Sequence, residues 1–214
     1  ETVSTEMWDA INTTWNAVRG GRLQRMRPAS MFRSIKERTA VIAGISDNTM
    51  SHDEGWHFLV LGRNLERADM TARLITTAIA SSGSAAAWAN VLRGCGAHHA
   101  FIRTYGGTVN DRDAAEFLLL DRLFPRSLVY TLQTAEQSLA ELDLGERRTG
   151  FESDAQRQLG TARASLEYRR TSEVLEGLPD RMARLQVRLN QAGSAISQRY
   201  FEGATAAQWI GGNW

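Results

Sequence analysis

Met182, Leu185, Leu189, Ala192 and Ile196 recur at intervals of three and four residues, the period at which side chains return to one side of an α-helix. The same spacing runs through almost the whole chain, while the β-branched alternation of a half-buried strand is nearly absent. Three prolines interrupt 214 residues, and each stands where a helix can begin or end. These features restrict the chain to an all-α fold, an antiparallel bundle of seven to eight amphipathic helices with short connections.

Met7, Ile11, Trp15 and Val18 predict a first helix over about 2–19, stopped by Gly20-Gly21. Phe32, Ile35, Ile42 and Ile45 give the apolar face of a second, near 29–46. Ser51 with Glu54 three residues on reads as a capping box for a third, which runs to about 80. After the break at 81–84, a fourth is expected over about 86–104, closed by Gly106-Gly107. Asn110 can cap a short fifth over 111–123, and Pro125 is expected to start a sixth over 125–143. Beyond a polar loop at 145–153, two more helices are expected over about 153–176 and 179–201. The organisation is one helical domain over 1–201 and a Gly-rich tail, 202–214, in which Trp209 and Trp214 offer docking side chains.

Composition narrows the function classes. A net charge of +1 gives no basic patch for nucleic acid. Lys36 is the lone lysine, so nearly all positive charge is arginine, the side chain suited to carboxylates and phosphates, although a GC-rich genome gives the same bias without any functional cause. Cys95 is the single cysteine, which excludes an intrachain disulfide and fits a reducing, cytoplasmic location. No apolar run approaches the roughly 18 residues of a membrane span. The chain opens on Glu1, already within a helical pattern, as a fragment of a longer protein does.

The third helix carries the densest charge. On a helical wheel Phe58, Leu61, Leu65, Ala68, Ala72, Ile75 and Ile79 form one apolar stripe, and Leu59, Met70 and Leu74 a second on the opposite side. Gly62, Glu66, Asp69 and Arg73 lie between them. Two apolar faces predict two sets of neighbours and an enclosed polar strip, within which charges must pair or meet a ligand. Gly62, unfavourable in a helix by about 1 kcal/mol, fits a close approach by backbone or ligand. Asp69 and Arg73 can pair at i,i+4, whereas Arg63 and Arg67 repel at the same spacing and need acids from elsewhere, such as Glu116 or Asp121. The alternatives are a salt-bridge network that fixes helix register and a charged pocket for a small anion or peptide end.

The segment "FLVLGRNLERADMTARLI" (58–75) resembles the Glu-Arg motif of the alpha-E family of bacterial all-helical proteins, and "AEFLLLDRLFPRSLVYTLQTAEQSL" (115–139) resembles that family's second signature. "ISQRYF" (196–201) is similar to its final helix. The resemblance implies a helical domain whose relatives occur beside, or fused to, circularly permuted ATP-grasp ligases and transglutaminase-like proteins. It implies a role in ATP-dependent amide-bond formation or peptide modification. ATP and magnesium would then enter through a partner ligase, in cis or in trans, with no cofactor in this chain. The residues carried over are Glu66 and Arg67, flanked by Arg63, Thr71 and Arg73, then Asp121, Arg122, Pro125 and Arg126. With Asp69, all of these except Thr71 and Pro125 form the expected ligand-binding set. An earlier copy of the Glu-Arg helix, usual in the family, is missing, so the set reads as half a site. Arg126 is expected in the first turn of a helix, where the dipole disfavours a cation. That position suggests an anionic partner or a salt bridge to Asp121.

Other chemistries find no support. Lys36 lacks the glycine run of a Walker A loop, and neither a nucleophile elbow nor a dinucleotide fingerprint occurs. Glu54 and His57 match one di-iron element without the second. Cys95 and His99 supply at most half a zinc site. Glu66 and Asp69 lie close enough on one face for one carboxyl to be raised, but no nucleophile accompanies them. The chain is therefore expected to bind rather than to catalyse alone. A module in which the charges only fix packing is the rival reading.

Overall fold

The computed structural model describes residues 3–81, 83–143, 153–173 and 175–202. Nine α-helices and no strand lie within them: α1 (Thr5–Arg19), α2 (Pro28–Thr49), α3 (Glu54–Ala80), α4 (Ala85–Gly94), α5 (His98–Tyr105), α6 (Asp111–Leu120), α7 (Leu128–Glu141), α8 (Asp154–Glu167) and α9 (Leu178–Tyr200), with a 3-10 turn at Thr171–Glu173. The all-α bundle stands, with nine helices in place of seven to eight. Most of the loop at 145–153, and Trp209 and Trp214 of the tail, lie outside the described residues.

The chain divides into two compact units, Glu1–Leu59 and Val60–Trp214. In the first, α1 packs on α2. Ser4 caps α1 by accepting from Met7 N–H, and its hydroxyl lies 2.8 Å from that of Thr49. Met7, Ala17 and Leu23 are buried, whereas Ile11, Trp15 and Val18, expected on the same stripe as Met7, stay exposed, as does Phe32. Two helices bury only the faces they turn to each other. Asp53, not Ser51, caps α3: its Oδ1 accepts from Gly55 N–H at 3.0 Å and Trp56 N–H at 3.3 Å.

The second unit holds the main core. Helices α7, α8 and α9 pack in succession, and α6 joins them to α4 and α5. The α9 stripe from Met182 to Ile196 is buried throughout, and Leu128, Leu132, Ala135 and Leu139 of α7 face the same interior. Each fully buried leucine contributes about 1.5–3 kcal/mol, so α7 is held mainly by this stripe.

The helix expected over about 153–176 ends at Glu167, and the 3-10 turn at Thr171–Glu173 follows it. Two further boundaries differ from expectation for local reasons. The helix expected over 86–104 is two helices, because Gly96 adopts φ 66°, a left-handed conformation that an uninterrupted helix excludes. Likewise α7 begins at Leu128 rather than Pro125. Ser127 is its cap, accepting from Tyr130 N–H at 3.2 Å, and Pro125 and Arg126 belong to the turn before it. Arg126 therefore does not occupy a first helical turn.

Candidate functional site

The third helix turns one clear stripe inward. Leu61, Ala68, Ala72 and Ile75 are buried, and Asn64 and Thr71 are buried with them. Asn64 donates Nδ2–H to the Val60 carbonyl at 2.8 Å, while its Oδ1 has no hydrogen-bond partner. On the opposite side Leu74 packs where a Cβ on Gly94 would stand 3.5 Å away, but Met70 is half exposed. Gly62 is exposed, with nothing within 4 Å of where its Cβ would be. The expected close approach there does not occur.

The charged strip of α3 is open to water. Glu66 and Arg73 are exposed, whereas Arg63, Arg67 and Asp69 are half-buried. Arg73 Nε donates to Asp69 Oδ2 at 2.6 Å, as its i,i+4 spacing predicts. That bond, then the charges of Asp69 and Glu66, hold the guanidinium above its ordinary pKa. The strip is therefore an outer ionic face rather than an enclosed pocket.

The two signature segments meet at one hydrogen bond. Thr71 Oγ1 donates to the Arg126 carbonyl at 3.1 Å and ties α3 to the turn between α6 and α7. The Cys95 thiol, buried at the end of α4, lies against the same threonine; burial raises its pKa, opposed by the Thr71 hydrogen bond and the Arg126 charge. Asp121 shapes the turn itself, because its Oδ1 accepts from Leu123 N–H at 2.9 Å and Phe124 N–H at 2.7 Å. Its carbonyl accepts from the Ser127 hydroxyl. No ion pair joins Asp121 to Arg126 among the described residues. Below the turn, Phe124 packs on Phe117, which meets Phe101 and Tyr105 edge-on. Burial, then the charge and hydrogen bond of Glu116, raise the Tyr105 phenol well above its ordinary pKa.

This supported turn projects Arg122 over a groove between α7 and α8. Arg122 Nη2 lies 2.9 Å from Glu167 Oε1. The other carboxylate oxygen of Glu167 accepts from Arg163, which also donates to Glu136 of α7. The bond to Glu136 dominates in holding the Arg163 guanidinium above its ordinary pKa. The chain thus alternates Arg122, Glu167, Arg163 and Glu136, and it borders an open groove of about 540 Å³. Gln133, Gln137 and Gln156 add amides to the wall. The volume is within the range of small-molecule sites. Gly160 makes room for Glu136, since a Cβ there would lie 2.8 Å from Glu136 Oε1.

Of the residues expected to bind a ligand, only Arg122 lines this groove. Arg63, Glu66, Arg67, Asp69 and Arg73 lie along α3, Asp121 supports the turn, and Arg126 contributes a carbonyl to Thr71. Sequence reasoning missed Glu136, Arg163 and Glu167. The i,i+4 spacing of Arg163 and Glu167 was the one local signal. No group of three His, Cys, Asp or Glu side chains that could hold a metal ion occurs among the described residues. Within them no helix is long and apolar enough to cross a membrane.

No curated protein and no solved structure matches the chain. The family model Alpha-E, described as "a predicted alpha-helical domain with a conserved ER motif", matches residues 1–201. A match of that extent takes in all nine helices, with Glu66-Arg67 on α3, and so the chain belongs to the Alpha-E family.

Proposed function

We propose that this chain is a helical accessory domain that works in the cytoplasm with an ATP-grasp-type ligase, in cis or in trans, during ATP-dependent amide-bond formation or peptide modification. A transglutaminase-like protein is a further partner. ATP and magnesium for the ligation enter with the ligase. The observation that carries a binding role is the groove beside Arg122. It offers guanidinium, carboxylate and amide groups together in a space of ligand size. That mixture suits a peptide terminus or an amino acid, whose ammonium and carboxylate need partners of opposite sign. The family resemblance supports the ligase partner, and the groove supports a peptide-like ligand.

A second reading has its own support. Arg163 is already engaged by Glu136 and Glu167, so the network also serves to lock α7 to α8. Reconstitution with an ATP-grasp protein encoded beside the gene separates the two readings. ATP turnover and amide formation would be compared for the wild type, Arg122→Gln and Glu66→Gln, alongside their melting temperatures. Binding in the groove predicts lost partner-dependent activity for Arg122→Gln but not for Glu66→Gln, which lies outside it, with melting of both held within about 2 °C, since both side chains are exposed. Activity that falls only in proportion to melting temperature favours the packing role.

A further inference from the structure

On another side of α8, a second cavity has arginine at four of its eight lining positions, the rest being Ser165 and the apolar Ala162, Leu166 and Leu185. It lies between the C-terminal half of α8 and the first half of α9, and holds about 190 Å³. Arg169, Arg181, Arg184 and Arg188 line it, and Ser165 adds a hydroxyl-bearing side chain. No carboxylate is among the lining residues. The i,i+4 pair Arg184 and Arg188 repels, and Arg181, one turn before Arg184, is only 8% exposed. Its guanidinium is fixed in place, with Nη2 donating to the Glu173 carbonyl at 3.3 Å and to the Glu176 carbonyl. Burial, then the positive charges of Arg169 and Arg184, lower its pKa; Glu176 and Glu173 oppose this more weakly. Arg169 meets Glu173 only at 3.9 Å, and Arg188 donates to the neutral Gln158 at 3.0 Å.

We propose that this notch binds a small oligophosphate, either free or as the tail of a nucleotide. Four arginines line the notch and no carboxylate does, and the planar guanidinium fork matches phosphoryl oxygens. The volume equals roughly six waters of liquid, more than one tetrahedral oxyanion fills. An adjoining shelf of about 360 Å³ shares Arg184 and Arg188 and continues over Val187 and Gln191. It gives room for an organic group attached to the phosphates. The site is separate from the groove beside Arg122 and does not depend on the ligase reading.

The test is calorimetric titration of the whole chain with tripolyphosphate, ATP and orthophosphate at low ionic strength. Saturable binding of tripolyphosphate or ATP is expected, well above that of orthophosphate and weakening with added salt. ATP binding tighter than tripolyphosphate identifies the nucleotide as the source; the reverse order identifies the free anion. Arg181→Gln risks unfolding, so the diagnostic variant is Arg184→Gln with Arg188→Gln, on the outer side of α9. It should weaken binding about tenfold or more, the scale of a lost charge-assisted hydrogen bond. The control Arg33→Gln with Arg157→Gln removes equal charge elsewhere and should leave binding unchanged. Absence of binding, equal weakening by the control, or a preference for a DNA oligonucleotide at equal phosphate concentration overturns the proposal.

Discussion

Replacing Arg163 with methionine tests whether the network beside the groove holds the second unit together. Arg163 donates to Glu136 on α7 and to Glu167 on its own helix, and all three side chains are less than a third exposed. Partial exposure screens each charge-assisted bond to about 1 kcal/mol. Removal also leaves the Glu136 carboxylate beside Gly160 without its cation, whereas Glu167 keeps Arg122. The sum is a loss of about 2–3 kcal/mol. For a unit of this size that corresponds to a fall in melting temperature of about 5–10 °C. Differential scanning calorimetry reads it directly. A double-mutant cycle with Glu136→Gln should show a coupling of about 1 kcal/mol. A fall below about 1 °C, or a coupling indistinguishable from zero, would mean that the pair behaves as an ordinary surface ion pair and that α7 and α8 are held by apolar packing alone.

Thr71→Val keeps the shape of the side chain but removes the donor to the Arg126 carbonyl; chemical denaturation should show a loss of about 1–1.5 kcal/mol. Tyr105 remains protonated in the folded chain at a pH where an unfolded tyrosine has ionised. The unfolded state therefore binds fewer protons, and stability falls as pH rises above about 10. Urea midpoints at pH 9 and 11 should fall less in Tyr105→Phe than in the wild type. Cys95 is 2% exposed, so a thiol-reactive dye at pH 8 should label it only at the rate of opening, and fully in denaturant; immediate labelling of the native chain would contradict its burial.

The parts of the fold that could be read from sequence were those set by one helix at a time. The α9 stripe is apolar at every third or fourth position, and Asn110 caps α6 with its Oδ1 2.8 Å from Asp113 N–H. Gly96 was not legible as a break, because glycine also occurs inside helices and only its left-handed backbone distinguishes the two cases. Pro125 drew attention from Ser127, whose hydroxyl is the actual cap. The wheel of α3 correctly grouped Asp69 with Arg73. It shows which residues share a side, however, and not what covers that side, so Glu66 and Arg73 were expected indoors and lie in water. The groove escaped notice because its key contact, Arg163 with Glu136, spans 27 residues and two helices. No local pattern encodes such a pairing.

The bare backbone at Gly160 sets two influences against each other. Alanine there favours the helix by about 1 kcal/mol, yet its methyl would intrude on the space that Glu136 Oε1 now fills. The carboxylate sits at the end of a flexible side chain and can swing aside, so the gain in one quantity masks the loss in the other. A screen that scored thermal resistance alone would pass such a replacement as harmless. The same replacement would have redrawn the wall of the groove, which makes position 160 a place where a silent change in stability hides a change in what the surface presents.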